Sequence, residues 1–294
     1  MKLATLILSA SLVAAAGTAQ AASVLPCSVG DVKITSVAQY SGITAGATLT
    51  TLASGLSMDA AACAGAYSGN DGYYPSENLG WQNDGLLNGG FQVSTGNVLF
   101  PGGAFITDTY PLSDLDNDGA VDDPGWVMLG KFDPEKGTFS PSAVGGDSSI
   151  VLSSFFTATV DGAGKGTWAF TPDATVAERT RGIFGNNYFD QFALVFKSAN
   201  AFSVYDFTAE QFGVTHPSVD VPIMNWFGTY DVTNTLRTGG KDGVKNPAGL
   251  SHITVWARDP ASPTPSTSVP EPGTLALLGI AALGALRVGR QRTR

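Results

Sequence analysis

The sequence predicts an all-β fold, a single β-sandwich or jelly-roll-like domain over residues 22–258, flanked by two apolar terminal segments. Three observations favour this fold. Short runs of alternating apolar and polar residues recur along the body. Many of the 36 glycines fall between these runs, where tight turns need them. Helical candidates are short and confined to residues 175–181 and 208–212. A single domain of this length is ordinary for an all-β protein.

Two hairpins give the clearest strand signals. In the first, residues 150–160 alternate over most of their length, residues 161–166 form a turn and residues 167–171 return. In the second, Phe192, Leu194 and Phe196 share one face of a strand, and residues 202–207 return. Further strands are predicted at residues 32–39, 126–132, 225–232 and 251–257.

The N-terminus has the pattern of a secretory signal peptide, residues 1–21. Lys2 gives the positive start, and residues 3–16 are apolar or small. Ala19 and Ala21 place small residues at the two positions that signal peptidase reads, so cleavage is predicted after Ala21. The alternative is a buried or membrane helix, but the apolar run is short for a membrane span.

The C-terminus has three parts in order. Residues 259–268 form a Pro/Ser/Thr-rich linker without apolar periodicity. Residues 269–294 follow, with a VPEP motif, an uncharged run at 275–286 and an arginine-rich end. The motif residues are Val269, Pro270, Glu271 and Pro272, and the arginines are Arg287, Arg290, Arg292 and Arg294. Residues 273–286 would make roughly 21 Å of helix against a bilayer core of about 30 Å. This predicts a short transmembrane helix held by arginines on the cytoplasmic side.

The VPEP motif, the apolar run and the arginine cluster resemble the PEP-CTERM sorting domain of Gram-negative bacteria. This resemblance implies recognition of the Pro-Glu-Pro motif by an exosortase, a membrane protease or transpeptidase. It also implies a bacterium that makes extracellular polysaccharide and biofilm. Three short segments of the body, at residues 62–71, 122–130 and 250–257, resemble sequences in other PEP-CTERM proteins. The alternative is an unrelated single-pass anchor with a Pro-rich stalk.

Cys27 and Cys63 are the only cysteines. An exported protein meets an oxidising compartment, where a disulfide is the default. Two free buried thiols or a redox pair are the alternatives, and the wide spacing lacks the C-x-x-C pattern of a redox pair.

The densest polar cluster spans residues 114–123. Its aspartates at positions 1, 3, 5 and 9 of a calcium-loop pattern are Asp114, Asp116, Asp118 and Asp122. Gly119 stands at position 6, but Gly125 stands at position 12 where an EF-hand has glutamate. The segment is therefore either a non-helical Ca²⁺ loop or a solvated acidic loop.

Aromatic residues raise the question of sugar stacking. By period two, Trp256 shares a strand face with His252 and Thr254. A tryptophan there either stacks on a sugar or packs in the core, and the core is favoured because tryptophan is mostly buried. Tyr73 and Tyr74 are candidates for the same sugar stacking, and they lie in a glycine-rich stretch, residues 65–90, that predicts a long loop.

The net charge and the sequence motifs argue against two classes of function, nucleic-acid binding and catalysis. The chain has a net charge of −9, but the signal peptide and the tail from residue 269 are positive, so the body between them, residues 22–268, carries −13. An acidic body argues against a nucleic-acid partner. Gly146-Asp147-Ser148 resembles an esterase block, but neither histidine has the Asp-x-x-His context that such enzymes need. No catalytic residue is assigned, and the sequence does not predict an enzyme.

The sequence therefore predicts a non-catalytic protein of the cell surface or extracellular matrix, associated with exopolysaccharide. It is expected to cross the inner membrane, to be anchored transiently by its C-terminal helix and then to reach the surface or medium. Expected partners are signal peptidase, exosortase and extracellular polysaccharide. Two alternatives are a calcium-stabilised carbohydrate-binding module and a secreted polysaccharide or ester hydrolase.

Overall fold

The computed structural model describes residues 26–94, 96–106, 125–144, 155–161, 164–176, 189–208, 211, 224–239, 245–247 and 249–258. Two 3-10 helices span Val29–Asp31 and Leu86–Asn88. The strands are β1 (Val32–Tyr40), β2 (Leu49–Asp59), β3 (Ala62–Ser68), β4 (Gln92–Ser94), β5 (Asn97–Val98), β6 (Trp126–Asp133), β7 (Thr138–Pro141), β8 (Phe156–Val160), β9 (Lys165–Phe170), β10 (Gln191–Ser198), β11 (Ala201–Thr208), β12 (Met224–Asp231), β13 (Arg237–Gly239), β14 (Lys245–Pro247) and β15 (Leu250–Arg258).

Two antiparallel sheets form the sandwich. Sheet A has five strands in the order β2-β1-β12-β9-β8. Sheet B has six strands in the order β3-β11-β10-β15-β6-β7. The predicted hairpins are the β8–β9 and β10–β11 pairs. The sandwich predicted from alternation is confirmed.

The main core lies between the sheets. Trp168 of sheet A contacts Phe192 and Phe207 of sheet B, with ring centroids 5.8 and 5.6 Å apart. Phe192 and Phe207 stack on neighbouring strands at 4.8 Å. Because successive strand residues point to opposite faces, the alternation at Phe192, Leu194 and Phe196 turns all three toward sheet A. Each such fully buried side chain contributes about 2–3 kcal/mol from removal of apolar surface from water.

Sheet B is covered on its outer face as well. Residues 69–94 and 96–106, here called the cover, pack a second apolar cluster against it. The cover contributes Leu86, Leu87, Phe100 and Ala104, and the sheet contributes Trp126, Met128, Ala193, Val195, Phe202, Val204 and Trp256. All eight residues of β10 are consequently buried. Burial on both faces explains why the strands of sheet B are rich in apolar and aromatic residues.

The cover is joined to sheet B by two asparagine side chains. β7 pairs with β6 only over residues 130–133, so the first half of β6 has an open edge there. Asn88 accepts from the amide of Trp126 at 2.6 Å and donates to its carbonyl at 2.7 Å. Asn78 does the same at Met128, with distances of 2.7 and 2.9 Å. The two side-chain amides thus satisfy backbone groups as a neighbouring strand would.

Some predictions need correction. The stretch predicted as a loop from residue 65 begins in β3, and its later part folds as the ordered cover. β2 was not predicted, because its exposed edge position leaves it without apolar alternation. Of the strand predicted at 150–160, residues 150–154 lie outside the described part. Among the described residues, no helix is both long enough and apolar enough to cross a membrane.

Candidate functional site

The outer face of sheet A is an open surface that carries threonines in register. Directly opposed residues form two rows across the sheet. One row is Asp59, Lys33, Thr229, Thr167 and Thr159; the other is Ser54, Ser36, Phe227, Ala169 and Thr157. A groove of about 300 Å³ opens here, and most of its lining residues belong to β8, β9 and β12. These two rows are called the threonine face below.

Hydrogen bonds fix part of the threonine face. Thr159 and Thr167 share a hydrogen bond between their hydroxyls at 2.8 Å. The hydroxyl of Tyr230, which points up from the core side, donates to the carbonyl of Thr159 at 2.8 Å. Thr157 and Thr229 are exposed. The face therefore combines held hydroxyls with hydroxyls that face solvent.

Two ion pairs flank the threonine face. Lys33 pairs with Asp59 at the β1–β2 end. Lys165 pairs with Asp231 at 2.7 Å, just beyond the first row. Burial raises the pKa of Asp231, but hydrogen bonds from Lys165 and Thr233 outweigh it and hold the pKa below its ordinary value. Both lysines are thus matched by a carboxylate, and this surface is close to electrically neutral.

The predicted aromatic residues separate into two environments. Trp256 is 1 % exposed and donates from its ring nitrogen to the Thr254 hydroxyl at 3.0 Å. Stacking of a sugar on Trp256 is therefore wrong, and the core interpretation is confirmed. Tyr73 and Tyr74 in the cover are 38 % and 40 % exposed. The Lys131 ammonium lies 5.9 Å from the Tyr74 ring centroid, within cation–π range.

A buried polar pair joins the cover to the end of sheet B. His252 Nε2 lies 2.7 Å from Asp71 Oδ2, and both side chains are buried. Lys197, opposite His252 in the sheet, donates to the Ala199 carbonyl at 3.0 Å. Burial lowers the pKa of Lys197, and the nearby charge of Asp71 offsets only part of this lowering. These groups lie beneath the cover, where a polymer substrate cannot reach them.

A second buried charged group lies at the other end of the same face. Arg258 binds Asp190 through two hydrogen bonds, one of them 2.8 Å from Nε to Oδ1. Asp206 lies nearby on β11 and is 3 % exposed. Burial and the charge of Asp190 raise the pKa of Asp206 to about 8, while Arg258 and the Phe207 amide lower it. Sequence reasoning missed both buried groups because their residues are far apart in the chain.

The predicted disulfide is present. Cys27 and Cys63 are bonded, with their Cα atoms 6.1 Å apart. The Cys27 amide also donates to the Gly65 carbonyl at 2.9 Å. The bond therefore ties the segment before β1 to β3, along the edge of sheet B.

The remaining predicted residues lie outside the described part of the chain. They are Ala19, Ala21, Asp114, Asp116, Asp118, Asp122, Val269, Pro270, Glu271, Pro272, Arg287, Arg290, Arg292 and Arg294. Within the described residues, no group of three or more His, Cys, Asp or Glu side chains could hold a metal ion. The calcium interpretation of residues 114–122 stays a prediction.

Comparison with known proteins bears on the C-terminus. Residues 268–292 match the family model described as the PEP-CTERM protein-sorting motif. Comparisons with curated proteins and with solved structures found no significant match. The motif implies processing by an exosortase and sorting to the cell surface or extracellular space. The chain is therefore a PEP-CTERM domain-containing protein.

Proposed function

We propose that the β-sandwich is a non-catalytic component of the cell surface or extracellular matrix that associates with exopolysaccharide. The observation that carries this proposal is the sorting motif at residues 268–292 on a chain whose main domain is a β-sandwich. In this proposal signal peptidase cleaves after Ala21, and the C-terminal helix anchors the chain transiently. An exosortase then acts at the VPEP motif.

The distribution of polar groups supports a non-catalytic role. The two buried polar pairs, His252 with Asp71 and Arg258 with Asp190, have side chains that are at most 9 % exposed. Catalysis on a polymer needs an acid, base or nucleophile that the substrate can reach. The open threonine face carries hydroxyls and two lysine–aspartate pairs instead. Such a surface is suited to adhesion by hydrogen bonds.

The charge of the body bears on the kind of polysaccharide. A body at −13 repels an acidic polysaccharide unless a cation lies between them. The aspartates of residues 114–122 are our candidate for such a cation, with Ca²⁺ held by their oxygens. Isothermal titration of the metal-free protein with CaCl₂ tests this part. Absence of heat at millimolar Ca²⁺ would remove calcium from the proposal.

Sorting is tested in a host that carries an exosortase. An epitope tag placed after Ala21 follows the body, and a different tag after Arg294 follows the tail. We expect the first tag at the surface or in the medium, without the second. Replacing Pro270 and Pro272 by alanine should leave both tags in the membrane fraction. Pro263→Ala, in the linker, is the matched control and should behave as the wild type.

A carbohydrate-binding module is the second candidate function. The groove on the threonine face favours it, because hydroxyls and the half-buried ring of Phe227 are among the groups that line an open volume of about 300 Å³. Polar groups beside an aromatic ring are the usual means of orienting a small ligand. Within the described residues, no comparable observation favours a polysaccharide or ester hydrolase.

A further inference from the structure

We infer that the threonine face binds a neutral polysaccharide chain, which is the contact between this protein and the matrix; the inference rests on the proposed function. Its starting point is the asymmetry of the sandwich. The inner faces of both sheets are buried in the core, and the outer face of sheet B lies under the cover. Within the described residues, the outer face of sheet A is the sheet face that remains open.

Charge decides between neutral and ionic partners. Lys33 and Lys165 are each held by an aspartate, so neither offers a free positive charge to an acidic chain. The net charge of −13 on the body adds repulsion against any polyanion. Asp59 and Asp231 are each already paired with a lysine, so neither offers a free negative charge to a cationic partner. A neutral chain meets no such cost at this surface.

Surface chemistry decides between a polysaccharide and a protein. The large exposed apolar side chains of the described residues are Val29, Leu49, Leu52, Tyr73, Tyr74, Val93 and Val160, and none lies in the two rows. A stable protein interface needs a desolvated apolar or aromatic centre. The threonine face offers hydroxyls that both donate and accept, which is the hydrogen-bonding character of a sugar hydroxyl. The half-buried ring of Phe227 offers an apolar surface for the C–H face of a sugar.

The face is also held in one shape, which lowers the entropy lost on binding. Gly166 packs against the Thr159 carbonyl and the Tyr230 hydroxyl, where a Cβ would lie 1.9 Å from that carbonyl oxygen. Gly228 packs against the Trp168 ring in the same way, with a Cβ 2.4 Å from the ring. Because neither glycine has a side chain, β12, β9 and β8 lie close together. With strands about 4.8 Å apart, Thr229, Thr167 and Thr159 span about 10 Å.

The test is affinity gel electrophoresis of the mature exported protein. The gels contain dextran, hydroxyethylcellulose or galactomannan as neutral polysaccharides, and alginate as an acidic one. With EDTA in every gel to remove bridging cations, we expect retardation in at least one neutral gel and none in alginate. Thr157→Ala with Thr229→Ala should weaken retardation roughly tenfold, since each removes one exposed hydroxyl. Tyr73→Ala with Tyr74→Ala is the matched control on the cover and should retain wild-type retardation.

Three outcomes would overturn the inference. They are no retardation in any neutral gel, retardation in alginate alone, and retardation that survives the threonine variant but is lost in the tyrosine variant. Both threonines are exposed, so the variant is expected to fold, and its near-ultraviolet circular dichroism and urea midpoint should match the wild type. If the tagged protein reaches the surface matrix and the threonine variant stays there equally well, the site is wrong while the proposed function stands. If the protein is not exported, the proposed function itself fails.

Discussion

Asp206 should make the sandwich less stable as pH rises. Its carboxyl is buried, faces Asp190 and Arg258, and has a pKa raised to about 8 by burial and by Asp190. In the unfolded chain an aspartate has a pKa of about 3.9. Between these values the unfolded chain has released a proton that the folded chain retains. The contribution of neutral Asp206 to the free energy of unfolding is therefore fully present below about pH 4 and is lost as pH rises through about 8.

The magnitude follows from linkage. One proton of difference lowers the free energy of unfolding by about 1.4 kcal/mol per pH unit. Between pH 5 and pH 7 the loss from Asp206 amounts to about 3 kcal/mol. Asp206→Asn keeps the size and the neutral form but cannot ionise. We expect the variant to gain about 3 kcal/mol relative to the wild type over this range.

The assay is urea unfolding followed by tryptophan fluorescence at half-unit steps of pH. Asp133→Asn is the control, because Asp133 is partly exposed at the end of β6 and its pKa is lowered by hydrogen bonds from Lys136. Its difference from the wild type should stay constant between pH 5 and pH 7. A constant difference for Asp206→Asn over the same range would refute the reasoning, since it would mean that Asp206 is already ionised in the folded protein.

Three further predictions concern stability. Replacing Cys27 and Cys63 by serine should lower the free energy of unfolding by about 4 kcal/mol, because the bond closes a loop of 36 residues. Trp256→Ala should lower the free energy of unfolding by about 3–5 kcal/mol, because it leaves a cavity in the core. Tyr73→Ala should lower it by less than about 1 kcal/mol, because Tyr73 is exposed. Asn88→Ala should cost about 2–3 kcal/mol, because it leaves a buried amide and a buried carbonyl of β6 unpaired. Urea titrations of each purified variant measure all three.

A specific result would contradict each of these three stability predictions. A wild-type protein whose urea midpoint is unchanged by dithiothreitol would contradict the disulfide prediction. Equal costs for the tryptophan and tyrosine variants would contradict the burial of Trp256. For Asn88 the comparison is Asn70→Ala, at an exposed position, and equal stability of the two variants would show that β6 does not depend on the asparagine.

Local patterns made most of the sandwich predictable. The β8–β9 and β10–β11 hairpins carry their alternation and turn residues within short stretches of sequence, so both were found. β2 was not predicted, because an edge strand that is exposed along most of its length needs no apolar face. The ordered conformation of the cover was not predicted, because it depends on hydrogen bonds from Asn78 and Asn88 to β6 residues that are 50 and 38 positions away in the chain.

The site was less predictable than the fold. Trp256 was placed correctly on a face with His252 and Thr254, but periodicity does not say whether a face is covered. The threonine face arises from the register of β8, β9 and β12, and β12 lies far from the other two in sequence. Pairs such as Arg258 with Asp190 are equally non-local. The sorting motif was found because all of its elements are contiguous.

The central claim is that this protein is exported and processed through its sorting motif. The most direct measurement is the intact mass of the protein recovered from the cell surface or medium of a host with an exosortase. We predict a mass that begins at Ala22, contains the Cys27–Cys63 disulfide and lacks the arginine-rich end. A mass that retains Arg287 to Arg294 in the presence of the exosortase, or recovery of the chain only from the cytoplasm, would contradict the account.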